Sequence, residues 1–347
     1  MDSEIPRPPD NEPDRREVTG VPPLEEPPVV RAISGFWRRV AALLVDSALL
    51  GLIGLLPGIF LFDVLASLGG FGRLIGFAIA LPYFTLLNGS IGRGQTIGKR
   101  IMGIEVTDGS GRHIGTGRSL VRYCILGVPF FLNNTPLPAG ASSLLVGFAD
   151  GVLVFGLGGA IIYLYIFNRR TRQSLHDLIV GTFVVKAGGS GSPPKVPVWR
   201  AHLVVISAWC LLVAVGIPVF GPMLMKGSVF PNVSALQQKL QATGEIHSAS
   251  IFVGKTWSSF NGTNHETSYL QSTVICKRRP VDYESAANGI AAVILANYPG
   301  IQQEDILTVT IAYGYDIGIA SSWNRQTFEH SPRDWASLLA PRHWPSQ

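Results

Sequence analysis

Charged side chains inside an apolar stretch are the residues of this sequence that could do chemistry. Arg39 and Asp46 lie seven positions apart in the run FWRRVAALLVD, so a helix places them on one face, about 10 Å apart along its axis. An arginine side chain hardly covers that distance, and a charge at the centre of a bilayer costs roughly 2.5 to 3.5 kcal/mol. Asp46 therefore needs another partner, for which Arg73 and Arg122 are the candidates.

A carboxylate in such a position has two interpretations. A charged residue within a membrane span marks an ion or substrate path by default, whereas the alternative is a structural ion pair that fixes helix packing. Another charged pair, His176 and Asp177, opens the segment QSLHDLIVGTFVV at residues 173–185. These two side chains could orient each other as an acid and a base, but adjacent residues of a helix diverge by about 100°, which argues against that role.

The composition indicates that these residues belong to a membrane protein. Of the 347 residues, 47 % are hydrophobic and only 15 % are charged, with a mean hydropathy of +0.29, whereas soluble domains are about one quarter charged. The formal charge of +5 does not predict a nucleic-acid partner, because the basic residues flank apolar segments instead of forming a dense patch with aromatic residues. The expected partner is the lipid bilayer.

Five apolar segments approach the length of about 20 residues that crosses a bilayer. They are residues 36–62, roughly 71–88, roughly 119–132, 143–168 and 201–225. The third segment contains Arg122 and Pro129, so a re-entrant segment is the alternative there. The sequence therefore predicts a polytopic α-helical membrane protein with five spans.

The placement of Lys and Arg predicts the orientation, since short basic loops stay in the cytoplasm. Residues 1–39, 89–118 and 168–200 are rich in Lys and Arg, whereas residues 133–142 contain neither. The three basic segments lie on one side of the membrane only if the third and fourth spans both cross. Five spans then leave the N-terminus in the cytoplasm and everything after residue 225 outside.

An internal similarity links two of the cytoplasmic segments. Residues 95–107, QTIGKRIMGIEVT, align with residues 173–185, and each copy follows a predicted span that ends in Asn. A duplication would relate two parallel two-span units by an axis along the membrane normal, and chance similarity is the alternative. Each copy is expected to form a short helix, a Gly-ended turn and a strand, and the two strands could pair. Lys99 aligns with Asp177, so the first copy has a cation at the position where the second copy has an anion.

These motifs resemble those of the RDD family, which is named for one arginine and two aspartates in its membrane domain. The resemblance rests on FWRRVAALLVD, GQTIGKRIMGIEV and SLHDLIVGTFVV in that order, and it covers about residues 35–186. It implies a bacterial cytoplasmic (inner) membrane protein, transport of an unspecified ligand, and Arg39, Asp46 and Asp177 as the signature positions. The ionisable residues that we expect as their charge partners are Arg73, Lys99, Arg122 and His176.

The rest of the chain lies outside this resemblance. Residues 1–34 are rich in Pro and acidic side chains, and we expect a disordered cytoplasmic tail there. A linker at 187–200 leads to the fifth span. Residues 226–347 are expected to form a small soluble α+β domain outside the membrane in the order αββαββ, with an antiparallel sheet covered by helices on one face.

The sequence offers little for catalysis. It contains no catalytic motif, no glycine-rich phosphate loop and no paired carboxylates at a useful spacing. Cys124, Cys210 and Cys276 are widely spaced and form no CxxC pair, zinc knuckle or disulfide framework. We therefore expect no enzyme activity, no cofactor and no bound metal.

Two functions from different classes remain open. One is a transporter of an ion or small solute whose path uses Asp46 and the arginines of the bundle; because the bundle is small, a homodimer could be needed to complete the path. The other is a non-catalytic, membrane-anchored scaffold of the cell envelope. In that function residues 226–347 bind an envelope protein or polymer, and the buried charges are architectural.

Overall fold

The computed structural model describes residues 30–133, 144–194, 196–216, 218–220, 223, 230–260 and 263–340. The tail predicted for residues 1–29 lies outside them. Within the described residues the chain forms long apolar helices, a two-stranded sheet and a C-terminal domain with a four-stranded sheet.

The N-terminal half alternates long apolar helices with two short helix–strand units. In chain order its elements are α1 (Phe36–Ser67), α2 (Gly72–Asn88), α3 (Ile97–Ile101), β1 (Ile104–Asp108), α4 (Thr116–Leu132), α5 (Leu144–Gly151), α6 (Gly158–Phe167), α7 (Leu175–Val180), β2 (Thr182–Lys186) and α8 (Arg200–Leu211). A 3-10 turn at Gly69–Phe71 joins α1 to α2, and a π-helical turn at Val152–Leu157 joins α5 to α6.

Four helical stretches of the described residues are long and apolar enough to cross a membrane, by length and composition. They are Phe36–Ser67, Gly69–Asn88, Phe148–Phe167 and Arg200–Phe220. The third predicted span, residues 119–132, is helical as part of α4, but α4 has only 17 residues where a span needs about 20. A membrane location is therefore supported, and the third of the five predicted spans stays a prediction.

The two short helix–strand units are built alike and pair with each other. After the helix of each unit comes a glycine in the left-handed region, Gly103 with φ +64° and Gly181 with φ +65°, where a residue with a Cβ would be strained. β1 and β2 then pair antiparallel, with Val106 opposite Val184. The predicted short helix, Gly turn and strand are confirmed for both segments, and so is the pairing of their strands.

Residues 30–34, which the sequence assigned to the tail, pack against this two-stranded sheet. Ile33 forms an antiparallel bridge with Val185 of β2. The buried side chain of Arg31 forms an ion pair with Glu105 of β1. These five residues therefore belong to the folded part of the chain.

The C-terminal domain follows the predicted order of elements and adds a final helix. Its elements are α9 (Phe230–Gln241), β3 (Ile246–Phe260), β4 (Thr263–Cys276), α10 (Tyr283–Asn297), β5 (Ile306–Asp316), β6 (Ser321–His330) and α11 (Pro332–Leu339). The four strands lie in the order β3-β4-β5-β6, and β4 and β5 are parallel. The predicted antiparallel sheet was therefore wrong at this pair, because α10 carries the chain back to the same end of the sheet before β5 begins.

One hydrophobic core holds the C-terminal domain together. Leu236 and Leu240 of α9 and Ile294 of α10 pack with alternate residues of β5, such as Leu307 and Val309. Because successive residues of a strand point to opposite faces, the alternate side chains of β5 place the helices against one face of the sheet.

The turn between β5 and β6 inserts into the helix bundle. We call residues 316–320 the β5–β6 tip. Two glycines make room for this part of the domain: a Cβ added to Gly76 of α2 would lie 1.7 Å from the carbonyl oxygen of Ile317, and one added to Gly58 of α1 would lie 1.8 Å from Tyr315 Oη. The Ile317 side chain is fully buried. The C-terminal domain is therefore seated in the bundle instead of hanging from it by a linker.

Polar contacts fasten the domain around the tip. Arg73 Nη1 lies 2.7 Å from Asp316 Oδ2, and Arg73 Nη2 donates to the carbonyl oxygen of Phe130 at 2.7 Å. Tyr313 Oη donates to Asp63 Oδ1 at 2.7 Å. These contacts involve the C-terminal end of α1, the start of α2 and the end of α4, so the tip is enclosed by three helices.

Candidate functional site

Asp177 is the centre of a buried ion-pair cluster. Its side chain is fully buried and accepts from Arg39 Nη2 at 2.8 Å, and from Arg122 Nε at 3.0 Å and Nη2 at 2.8 Å. Thr182 Oγ1 donates to the same carboxylate at 3.0 Å. One carboxylate thus joins four elements that are distant in the sequence: α1, α4, α7 and the start of β2.

The local sequence fixes the position of Asp177. Residues 174–177 form a capping box at the start of α7, in which the backbone N–H of Ser174 donates to Asp177 Oδ2 at 3.4 Å. Burial raises the pKa of Asp177, but the opposing effect of the Arg122 and Arg39 guanidinium groups is larger. The pKa of Asp177 therefore lies well below its ordinary range. Asp177 therefore stays ionised at every physiological pH.

Asp46 is buried in a separate pocket of neutral donors. Its Oδ1 accepts from Tyr83 Oη at 2.6 Å and from the backbone N–H of Gly98 at 2.8 Å, and its Oδ2 accepts from Thr96 Oγ1 at 2.6 Å. Among the described residues, no cation lies within 4 Å of its carboxylate. Asp46 therefore ties α1 to α2 and to the start of α3 through hydrogen bonds instead of an ion pair.

Lys99 and His176 have polar groups whose hydrogen-bonding capacity is only partly used. Lys99 Nζ donates to Asn88 Oδ1, and among the described residues no carboxylate lies within 4 Å of it. His176 Nδ1 is buried and has no hydrogen-bond partner in the described part of the chain. Its Nε2 lies 3.5 Å from Asp177 Oδ2, so the two neighbours approach each other although their helical positions argued against it.

Burial shifts the pKa of both side chains in the same direction. Burial and the nearby Arg122 guanidinium lower the pKa of Lys99 well below its ordinary value, against the opposing effect of Asp46. Burial lowers the pKa of His176 to about 3, although Asp177 opposes the shift. His176 is therefore a neutral imidazole at physiological pH.

The pKa of His176 predicts how stability depends on pH. Below the ordinary pKa of about 6.5 the unfolded chain binds a proton that the folded chain does not, so stability is complete above pH 7 and falls as the pH drops toward 3. We expect His176→Asn to reduce the loss of unfolding free energy between pH 7 and pH 5 by about 2 kcal/mol. Denaturant unfolding at both pH values measures this difference. His265→Asn, an exposed position on β4, should keep the wild-type pH dependence, and an equal change in both variants would contradict the assignment.

A cavity of about 370 Å³ lies between the helices beside these groups. We call it the central cavity. One part of its wall is polar and includes Arg39, Asp46, Lys99, Arg122 and His176, whereas the rest is mainly aliphatic and aromatic. Ligand sites are typically apolar cavities with a few convergent polar groups, and the central cavity has that character.

Two further cavities adjoin the central one and share wall residues with it. The basic cavity, of about 320 Å³, shares Arg39 and Tyr165 with the central cavity and adds Arg169 and Arg172. The apolar cavity, of about 260 Å³, shares Phe84 and other residues with it and reaches Gly318 and Ile319 of the β5–β6 tip. The three cavities form a series that begins at basic residues and ends at the tip.

Comparison with known proteins identifies the part of the chain that contains this site. The RDD family model matches residues 33–181. These residues form an RDD family domain. The uncharacterised protein YckC of Bacillus subtilis (strain 168) is 25 % identical to this chain over 154 residues, which are 44 % of this chain and 85 % of YckC. No solved structure matches the chain, and the residues beyond the RDD domain have no recognised family.

The structure separates the three residues that the resemblance predicted as signature positions. Arg39 and Asp177 form an ion pair, whereas Asp46 contacts neither. The prediction that Arg73 or Arg122 pairs with Asp46 was wrong. Arg122 is held by Asp177, and Arg73 pairs with Asp316 in the C-terminal domain, outside the RDD domain.

Lys99 and Asp177, which the internal alignment matched, do not form an ion pair with each other. Both lie close enough to the Arg122 guanidinium for its charge to shift their pKa values. The residues that sequence reasoning missed are Tyr83, Thr96 and Asn88. The signal for Thr96 was present, because Thr one residue before a helix is a favoured N-cap, but a tyrosine and an asparagine within an apolar helix carry no such signal.

Proposed function

We propose that this chain is a multi-pass protein of the bacterial cytoplasmic (inner) membrane that transports an ion or small solute through its RDD domain. The observation that supports this proposal is the series of three adjoining cavities along the buried charges. Burying ionisable groups in an apolar bundle is costly, and such groups commonly mark a substrate path. The path would lead from the basic cavity through the central cavity to the apolar cavity.

The arrangement of charges supports a cytoplasmic N-terminus and an extracytoplasmic C-terminal domain. The basic segments around residues 89–118 and 168–186 lie at the end of the bundle that carries β1 and β2, where the positive-inside rule places the cytoplasm. Asp46 and Gly58 are separated by about 18 Å along α1, so the C-terminal domain contacts α1 near its other end. The basic cavity would then face the cytoplasm and the β5–β6 tip the outside.

The two helix–strand units support a duplication inside the RDD domain. Val106 and Val184, which align in the sequence, lie opposite each other in the β1–β2 pair, as expected if a twofold pseudo-axis passes between the strands. The cavities lie within one chain, so the proposed path does not depend on the homodimer expected from the size of the bundle. A homodimer remains compatible with it.

Flux measurements on purified protein in liposomes test the transport proposal. Gradients of protons, Na+, K+ and small organic anions are imposed in turn and followed with trapped indicators or tracers. We expect one gradient to dissipate faster than in protein-free liposomes. We further expect Asp46→Asn to change that flux about tenfold, because the loss of one negative charge near Lys99 changes the electrostatic energy of a charged solute in the central cavity by about 1.4 kcal/mol or more.

A matched variant tests whether the effect is specific to Asp46 or follows from the loss of any carboxylate. Asp108→Asn removes a carboxylate from the last residue of β1, which does not line the three cavities, and should transport like the wild type. If no gradient responds, or if Asp46→Asn transports at the wild-type rate, the proposed path is wrong.

The alternative function is a membrane-anchored scaffold that acts through the C-terminal domain. Phe252 and Trp257 of β3 are 61 % and 68 % exposed, and solvent-exposed aromatic side chains are common at protein-binding surfaces. In that function the cluster around Asp177 is a brace that fixes helix packing. The same flux assay separates the two functions, since a scaffold gives no flux above protein-free liposomes with any gradient.

A further inference from the structure

Two nitrogen groups of the central cavity have hydrogen-bonding capacity that the described part of the protein does not use. His176 Nδ1 is buried without a partner in the described part of the chain, and the residue is 3 % exposed. The ammonium group of Lys99 can donate three hydrogen bonds, and Asn88 Oδ1 is its acceptor among the described residues. Both side chains line the central cavity. Buried polar groups of a folded protein are nearly always paired, so the unused donors of Lys99 indicate a bound group with acceptor atoms.

The charges around the cavity favour an anion. With Lys99 protonated, three cations (Arg39, Lys99 and Arg122) face two carboxylates (Asp46 and Asp177). Both carboxylates already accept hydrogen bonds from other groups, so neither is free for Lys99. An anion beside Lys99 would supply the missing negative charge, and it would raise the pKa of Lys99 that burial and Arg122 lower.

The adjoining cavity favours a ligand with an apolar part. The apolar cavity begins at Phe84 and Leu126, which it shares with the central cavity, and is lined further on by Leu50, Phe130 and Ile319. A small inorganic anion would leave this space empty, whereas an apolar chain attached to the anion would fill it and gain hydrophobic stabilisation. The side walls of the central cavity include Ile162, which is 61 % exposed, so the site also opens toward the lipid.

We propose that the RDD domain binds an amphipathic anion, with its charged head at Lys99 and its apolar chain in the apolar cavity. This anion would be the solute that the RDD domain transports, and that part of the inference rests on the proposed transport function. Binding is a separate equilibrium property. It can therefore be measured without a gradient and without any flux.

Equilibrium binding of alkyl sulfonates to the full-length protein tests this proposal. The protein is placed in nanodiscs of phosphatidylcholine, and radiolabelled decanesulfonate is titrated with empty nanodiscs as the reference for partition into lipid. We expect saturable binding of decanesulfonate. Methanesulfonate, which has the same head, should bind at least tenfold more weakly because it lacks the chain. Decanol and decyltrimethylammonium, which have the same chain, should show no saturable binding.

Variants of two lysines test the placement of the head. Lys99→Gln should weaken decanesulfonate binding roughly tenfold or more, as expected for the loss of a hydrogen bond to a charged group. Lys255→Gln removes an exposed lysine of β3 and should bind like the wild type. An unchanged thermal unfolding transition shows that each variant is folded. The ligand comparison on the wild type decides the matter even if Lys99→Gln fails to fold.

Several outcomes would overturn the proposal. These are equal binding of decanol or decyltrimethylammonium, equal binding of methanesulfonate, or wild-type affinity in folded Lys99→Gln. A last arm distinguishes two sources of the ligand. If phosphatidylglycerol in the nanodisc displaces decanesulfonate, the site takes the anionic head of a membrane lipid, and if it does not, the site takes a free amphiphile. Binding without flux would leave this proposal intact and contradict the transport function alone.

Discussion

Replacing Asp177 with Asn is expected to lower the free energy of unfolding by about 3 to 5 kcal/mol. The carboxylate is fully buried and is the acceptor for two arginines whose side chains are each only 7 % exposed. Asn keeps the shape of the side chain but removes its charge, so Arg39 and Arg122 remain in the bundle without compensation. Breaking a buried ion pair on one side is far more costly than losing an exposed one.

Denaturant unfolding in detergent micelles measures this loss. Glu329→Gln, which removes an exposed carboxylate of β6, provides the matched control and should leave the transition unchanged. The effect of Asp177→Asn should also be smaller in an Arg122→Gln background, because one of the stranded cations is then absent. A loss of less than about 0.5 kcal/mol would show that the contacts around Asp177 do not stabilise the fold. The same loss in both backgrounds would show that Arg122 does not depend on the charge of Asp177.

This expectation divides the buried charges of the RDD domain into two groups. Arg39, Arg122 and Asp177 saturate one another and hold α1, α4 and α7 together, so their main contribution is to stability. Lys99 and His176 have unfilled hydrogen-bonding capacity and face the central cavity. Two of the three predicted signature residues, Arg39 and Asp177, are therefore a brace, and the proposed ligand binds at Lys99, outside that predicted set.

The sequence predicted the local structure of the RDD domain well. Long apolar runs, a Gly after each short helix and alternating apolar residues in the strands are local signals, and the helices and both helix–strand units formed as expected. The partners of Asp46 were not predictable in the same way. Helical periodicity gives the face of α1 on which Asp46 lies, but not which residues of α2 and α3 meet that face. Tyr83 and Thr96 contact Asp46 only because α2 and the start of α3 pack against that face of α1.

The C-terminal domain shows the same limit. Its order of helices and strands followed from hydrophobic periodicity, but the parallel β4–β5 pair depends on the path of α10, which periodicity does not give. The insertion of the β5–β6 tip was also missed. Gly54 and Gly58 are four residues apart on α1, a spacing that allows close packing against a helix, but nothing in the sequence indicates that the turn at residues 316–320 is what packs there.

A disulfide between the β5–β6 tip and α1 is expected to abolish transport. The tip lines the apolar cavity where the proposed path ends, so fixing the tip to α1 should keep a solute from leaving there. A Cβ built on Gly54 lies 3.0 Å from the Cβ of Ala320, whereas disulfides have about 3.5 to 4.5 Å between these atoms. Gly54→Cys and Ala320→Cys should therefore cross-link after a small adjustment. Both are introduced into a chain whose three native cysteines, Cys124, Cys210 and Cys276, are replaced by Ser.

Flux through this double-cysteine protein in liposomes, before and after reduction, is the most direct test that the series of cavities is a transport path closed by the tip. The gradient is the one that the wild type dissipates, and each single-cysteine variant controls for the effect of the substitution itself. We expect the oxidised protein to transport no faster than protein-free liposomes and the reduced protein to recover its flux. Equal flux in the cross-linked and reduced states would contradict a path that ends at the tip.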